Sequence, residues 1–263
     1  MSSVRHASFL PCRGGPGRRL RRILLCALAA ASASAWADGD IRQATELLSE
    51  ASLEDLLDTQ ITTAARRAER IADSAASVTV ITADDIARAT SSHIEDLFRT
   101  VPGMQVGRVN NSHYAISTRG ANSVFSANLL VMVDGRTIYS PVFSGVWWDT
   151  QEIPLEEIAR IEIIRGPGAS LWGVNAVNGV INILTKDAAN TKGGLISAGT
   201  GSNDRGNVYA RYGMQFGENG YARVYARRTS MNDTDLPTGV SGKDENMAER
   251  IGFRVDKTFG DER

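Results

Sequence analysis

Residues 165–186 read RGPGASLWGVNAVNGVINILTK. The stretch has three parts. Arg165-Gly166-Pro167-Gly168 is a turn, because two glycines admit positive φ and proline fixes its own. Ala169 to Val177 is small and apolar, with Gly173 inside it. Asn178-Gly179 is a second turn signal, and Val180 to Thr185, rich in β-branched residues, reads as a buried strand with Asn182 at its centre. A glycine-rich phosphate loop fails on spacing. The dinucleotide fingerprint needs glycine or alanine at position 171, where Leu171 stands, and no Gly-Lys-Ser/Thr follows. On chemistry alone a turn-and-strand unit of some α/β protein stays open.

The start of the 263-residue chain is set apart by charge. Residues 1–37 hold Arg5, Arg13, Arg18, Arg19, Arg21 and Arg22 and no acid, then the apolar run Ile23 to Ala31, then Ala35-Trp36-Ala37. Basic region, short apolar region and small-residue site make a secretory signal peptide with cleavage expected after Ala37. The apolar run falls short of the roughly 18 residues a spanning helix needs. Without this leader the formal charge moves from −1 to about −7, which argues against nucleic acid as a partner. Cys12 and Cys26 leave with the leader, so no disulfide is expected.

Asp38 to Leu57 has apolar residues near helical spacing with acids between them and reads as an amphipathic helix. Asp58-Thr59-Gln60-Ile61-Thr62-Thr63-Ala64 is short and β-prone; by chemistry alone it is a strand lying on the next domain. Residues 65–77 read as a flexible tether. Val78 to Thr82 is a strand, and Thr82 caps a helix that has Asp84 and Asp85 in its first turn. Ser92-His93-Ile94-Glu95 reads as a capping box opening a second helix. Residues 105–118 read as a loop between strands, with Asn110, Asn111, Ser112, His113 and Tyr114 at its tip. Leu129 to Val133 is apolar throughout, hence buried on both faces, and Asp134-Gly135 is a two-residue hairpin turn. Tyr139, Phe143, Trp147 and Trp148 lie in an aromatic loop that is equally a packing element or a ligand contact. Ala159 to Ile164 is a strand leading into Arg165. His93 and His113 have no second ligand at metal spacing, so no metal site is expected. No nucleophile–base pair or cofactor loop is present either, so neither a cofactor nor catalysis is expected.

The 165–186 stretch closely resembles the end of the plug domain of TonB-dependent outer-membrane receptors, in its R-G-P (Arg165, Gly166, Pro167), its W-G ending at Gly173 and its G-V-I-N-I strand with Asn182. Ile116, Arg119 and Gly120 match that family's I-x-x-R-G, and Val133, Asp134 and Gly135 its V-D-G. The resemblance implies an α+β plug over 78–186, a small mixed sheet with short helices. It also implies a TonB box at Asp58–Ala64, in an N-terminal extension over 38–77, offered to the edge of a partner's sheet.

From residue 193 to 263 the pattern becomes period two. Val208, Ala210, Tyr212, Met214 and Phe216 oppose Tyr209, Arg211, Gly213 and Gln215. Val224 and Ala226 oppose Arg223, Tyr225 and Arg227; Ile251, Phe253 and Val255 oppose Arg250, Gly252 and Arg254. Soluble antiparallel sheets share this alternation. With the leader and the plug resemblance it reads as antiparallel strands opening a transmembrane β-barrel in contact with outer-membrane lipid. So few strands cannot close in lipid, so the chain is expected to be an N-terminal fragment or a truncated product.

The resemblance implies a receptor in the cell outer membrane that imports a scarce ligand, most simply a ferric siderophore, with TonB as its energy-coupling partner. The expected ligand-contacting plug loops are Asn110 to Tyr114 and the aromatic loop bearing Tyr139, Phe143, Trp147 and Trp148. Cobalamin and haem receptors of the same family, and a soluble periplasmic plug-type binding module, are the alternatives.

Overall fold

The computed structural model describes residues 60, 61, 63, 69–74, 76–120, 122–125, 128–151, 153–167, 169–173, 175–236 and 238–258. The leader, the helix expected over 38–57, and Asp58, Thr59, Thr62 and Ala64 lie outside them. The chain opens with two short antiparallel strands, β1 (Gln60–Ile61) and β2 (Glu69–Arg70). β3 (Ser77–Thr82) runs into helix α1 (Ala83–Arg88), where Thr82 and Asp85 cap each other reciprocally. Helix α2 (Ile94–Leu97) leads to a hairpin of β4 (Met104–Arg108) and β5 (Tyr114–Thr118). After β6 (Leu129–Val133) and β7 (Arg136–Thr137) come β8 (Ile158–Arg165), the single turn α3 (Ala169–Trp172) and β9 (Gly179–Thr185).

These elements form a five-stranded mixed sheet in the order β3-β8-β9-β6-β7, antiparallel except where β6 meets β9. Period-two alternation gives the sheet two buried faces. Ile161 and Ile163 of β8 join Ile181 and Ile183 of β9, Val131, Phe98 and Trp148 on one face. Ile164, Val180, Leu130 and Met132 form the other. Each fully buried isoleucine contributes about 1.5–3 kcal/mol, so this core holds the sheet without disulfides. The Asp134-Gly135 turn is as expected, with φ of 48° and 76°.

Three local expectations are corrected. Residues 105–118 are largely strand, because Val106 and Ile116 pair across the hairpin and only 109–113 turn. Ser92 does not cap α2. His93 holds the cap position without a side-chain bond, and the Ser92 hydroxyl is taken by the Asp204 carboxylate. The stretch expected as a flexible tether contains β2, a 3₁₀ turn at Ile71–Asp73 and the first residue of β3.

A second sheet follows: β10 (Gly193–Gly199), β11 (Asp204–Phe216), β12 (Gly220–Met231) and β13 (Asn246–Lys257), consecutive and antiparallel. The alternation read in the sequence is its two faces. Ile196, Tyr212, Ile251 and Phe253 stand exposed on the outer face, Phe253 at 81%. Tyr209, Arg223 and Arg227 on the inner face are buried against the plug's 3₁₀ turn at Leu155–Glu157 and its loop at Ser92. Glycine permits the closest approach: a Cβ on Gly213 would stand 2.0 Å from the Thr191 carbonyl oxygen.

Candidate functional site

Two features of the first domain carry chemistry beyond packing, a docked segment on one sheet face and an aromatic apex in its loops. In β8, Glu162 alternates with Ile161 and Ile163, so it points to the opposite face, where it pairs in register with Asn182 of β9. Thr63 sits over that pair. Its N–H and hydroxyl both donate to Glu162 Oε2, at 2.9 and 2.5 Å. Asn182 Nδ2 donates to the Thr63 hydroxyl at 3.1 Å, and Trp172 Nε1 to its carbonyl at 3.0 Å. Arg160 Nε holds the other Glu162 oxygen at 2.8 Å. Ile61, Thr63 and Glu162 are fully buried. By chemistry alone this segment was a strand lying on the next domain, and Ile61 and Thr63 are docked in that way, with Gln60 and Ile61 paired to Arg70 and Glu69; the exposed segment offered to a partner is what the resemblance implied. Glu162 and Trp172 gave no sign of this role in the sequence beyond a lone acid inside an isoleucine strand.

The motif residues supply backbone geometry. Asn182 Oδ1 accepts from the Gly135 N–H at 3.2 Å, which ties the hairpin turn to the docking site. Asp134 accepts from the Thr185 N–H and hydroxyl at 2.8 and 2.7 Å. Arg165 reaches the Pro102 carbonyl at 2.7 Å. Arg119 has a φ of 53°, and a Cβ on Gly120 would meet the Asn178 amide at 2.8 Å. Gly166 and Gly173 both have positive φ, and Pro167 follows the first of them.

At the loop end the expected ligand-contacting residues divide into two groups. Asn111, Tyr114 and Trp148 are buried. The Asn111 amide donates to the Asn232 and Asp244 carbonyls at 2.6 and 2.9 Å, and its Oδ1 accepts from Arg108 and Asn203. Ser112 Oγ accepts from Asn246 at 2.9 Å, and the Asn110 carboxamide oxygen closes the turn onto the Ser112 and His113 N–H groups. This turn therefore anchors the first domain to the loop between β12 and β13. The same loop is stiffened by Asp244, whose carboxyl lies below the usual range because Thr234 and Asn111 donate to it.

In the other group Phe143 is exposed and His113 and Trp147 are half-buried. Phe143 and Phe125 stack at 5.9 Å, Trp147 lies 4.4 Å from Phe143 and 5.7 Å from Phe125, and His113 meets Trp147 edge-on at 5.3 Å. Val142 beside them is 83% exposed. The 140–145 loop is closed by mutual Ser140–Gly145 main-chain bonds, with Ser144 at a φ of 51°. Tyr139 stands half-buried at the loop's base. Phe125 was not anticipated; its signal is an isolated aromatic in a Ser/Asn-rich loop. The patch is preformed, apolar and conjugated, suited to a ligand with a flat or aromatic face.

Residues 70–180 match the family model described as TonB-dependent Receptor Plug Domain. The chain is 32% identical over 202 residues to the vitamin B12 transporter BtuB of Vibrio cholerae, covering 77% of this chain and 32% of that protein. It is 35% identical over 147 residues to BtuB of Vibrio vulnificus, covering 55% and 23%. The chain thus spans about a third, or less, of these relatives' length. Among solved structures, the FrpB iron transporter of Neisseria meningitidis superposes at a TM-score of 0.57 with 16% identity, over 70% of this chain and 30% of that one. The ferric-catecholate import receptor Fiu of Escherichia coli K12 does so at 0.55 with 23% identity, over 72% and 25%. These likenesses establish the fold, a plug followed by antiparallel wall strands.

Proposed function

The chain belongs to the TonB-dependent receptors, and we propose that it supplies the plug and opening wall strands of an outer-membrane importer energised through TonB. The observation that carries this reading is the packing of a plug against the polar face of a sheet whose other face is apolar and exposed. Residues 1–37 export the chain and are cleaved after Ala37. The outer face of β10–β13 meets lipid.

The ligand is a scarce metal chelate, and it lands on the patch of Phe125, Val142, Phe143 and Trp147. We take a ferric siderophore as the first reading. Cobalamin is the second, favoured by what the Vibrio relatives are named for transporting. TonB captures Asp58–Ala64 as an added strand. For that, Thr63 must leave Glu162, Asn182 and Trp172, and Ile61 must leave Glu69, so the docked segment is the resting state of the coupling step. No covalent bond changes, and no residue has a catalytic role.

The test is an in-frame deletion of residues 58–64 at the native locus. Energised uptake of a radiolabelled ferric siderophore or cobalamin should fall to background, while binding to de-energised cells persists. Uptake that survives the deletion would overturn the assignment of the segment. Which of the two ligands competes for binding decides between the readings.

A further inference from the structure

The docked segment is held from outside the plug sheet as well as from within it. Asn182 donates to the Thr63 hydroxyl only while its carboxamide keeps one orientation. That orientation is set by the Gly135 N–H, which donates to the carboxamide oxygen at 3.2 Å. Gly135 belongs to the Asp134-Gly135 turn, where Asp134 stands at a φ of 48°. A residue with a side chain keeps such a conformation where its surroundings fix it. Asp134 is fixed through its carboxylate, which accepts from the Thr185 N–H and hydroxyl at 2.8 and 2.7 Å. The Thr185 hydroxyl in turn accepts from Arg254 Nη1 at 2.8 Å, and the same nitrogen stands 3.9 Å from the Asp134 carboxylate. Arg254 belongs to β13, a wall strand. Its Nη2 lies 2.6 Å from the plug's Asp187 and its Nε 2.9 Å from Asp256, which keeps the guanidinium aimed at the turn. Asp256 is itself tied to the plug, since it accepts from the Ala188 N–H at 2.7 Å.

We infer that Arg254 is the wall-side positioning residue of the docked segment. It orders the Thr185 hydroxyl and the Asp134 carboxylate, the turn then orients Asn182, and Asn182 holds Thr63. The contacts run without a gap from the wall to the segment, and those at the wall end are charge-assisted. Two consequences follow from that continuity. Opening the clasp between wall and plug loosens the segment while the plug sheet stays folded. A pull on the segment is delivered, through Asn182 and the turn, to a point where plug and wall are joined. The clasp is suited to opening, because Arg254 is 28% and Asp134 45% exposed, and ion pairs in contact with water are weak. The functional meaning of this rests on the reading of residues 58–64 as the segment that TonB captures.

The test is a double-mutant cycle read by a nitroxide at position 64, in isolated outer membranes with neither ligand nor TonB added. Arg254→Gln cuts the clasp at the wall. Asp134→Asn cuts it at the turn and keeps the backbone, since asparagine accepts the same positive φ. Each should raise the ratio of mobile to docked segment about two- to fivefold, the size of a partly exposed ion pair. Ser197→Ala removes a different plug–wall contact, the bond from the Ser197 hydroxyl to Glu156, and should leave the ratio as in wild type. In a Thr63→Val background Arg254→Gln should add nothing, because the contacts it completes are already cut at their far end. A plug that was merely looser would give effects that multiply in full. Full multiplication, or an unchanged ratio in both Arg254→Gln and Asp134→Asn, would overturn the assignment. Uptake is scored separately. If deleting residues 58–64 spares uptake while the cycle shows the coupling, the importer reading fails and the positioning role stands. If uptake needs residues 58–64 and the cycle shows no coupling, the positioning role alone fails.

Discussion

Thr63 shows how much can rest on one hydroxyl. It donates to Glu162 and accepts from Asn182, both inside the plug, so removing it takes one hydrogen bond from each, although Glu162 Oε2 keeps the Thr63 N–H. Thr63→Val should weaken docking by about 1–3 kcal/mol, a shift of about fivefold or more toward the free segment. A nitroxide at position 64 would read this as a growing mobile component; an unchanged spectrum would mean that the hydroxyl does not hold the segment. His93 is the second residue whose chemistry reaches beyond its own element. Burial lowers its imidazole below the usual value, with Arg108 and Arg227 acting the same way and Asp204 and Asp96 opposing them. The unfolded chain then binds the proton first. Its stabilising effect is complete above the unfolded value near pH 6.5 and is lost as the pH falls through the lower folded value. Plug melting followed by near-ultraviolet circular dichroism should drop between pH 7.5 and 5.5, by about 2–4 °C for each kcal/mol lost. His93→Gln should flatten that slope, and an equal slope in the variant would dismiss His93 as its source.

At the scale of elements, plug and wall meet where glycine has been left in place of a side chain. Gly213 of β11 lies under the 3₁₀ turn Ala188–Thr191, whose Thr191 carbonyl would stand 2.0 Å from an added Cβ. Both neighbours are backbone, so neither can rotate away. Gly213→Ala should lift that turn from the wall at a cost of about 1–3 kcal/mol or more. Gly194→Ala, whose Cβ meets nothing within 4 Å, is the matched control. Limited proteolysis should nick the plug of the first variant sooner and leave the second like wild type; equal rates would show that the turn does not need this contact. The same elements show what the sequence made legible. Strands β6 and β9 were readable as short β-branched or continuous apolar runs, β11–β13 because each alternates with one apolar face, and the Asp134-Gly135 turn because only certain residues take its φ values. The β4/β5 hairpin was obscured because Gln105, Gly107 and Arg108 interrupt its apolar pattern, and its pairing partner is visible only in three dimensions. Ser92 misled for a related reason. A capping motif is local, whereas the acid that claims its hydroxyl, Asp204, lies 112 residues away. Of the docking site only the segment itself was legible, as a β-prone stretch lying on the next domain; Glu162, Trp172 and Asn182, which receive Thr63, come from three separate elements and no spacing rule links them to it.

The whole molecule turns on whether the second sheet faces lipid or water. Its inner face is committed to the plug through Glu157, Asp187 and the wall arginines. Its outer face is a row of exposed apolar residues: Ile196 at 79%, Ile251 at 79%, Phe253 at 81% and Val255 at 55%. In water such a contiguous patch invites association, whereas in a bilayer it is the expected surface. Strands β11 to β13 are 13, 12 and 12 residues long, enough to cross an outer membrane at the usual tilt. The two environments predict opposite responses to one substitution. Phe253→Arg places a cation near the middle of β13. If that face is in lipid, assembly should be penalised by about 2–4 kcal/mol and the folded, heat-modifiable form in the outer membrane should fall accordingly. If the face is in water, the arginine is harmless or improves solubility. Val240→Arg is the control, because Val240 is exposed in the loop between β12 and β13, away from the strands. A depth-dependent penalty, large at position 253 and small at 240, requires a membrane wall. An equal and small effect at both would leave the strands as one face of a soluble sheet and remove the basis for an importer.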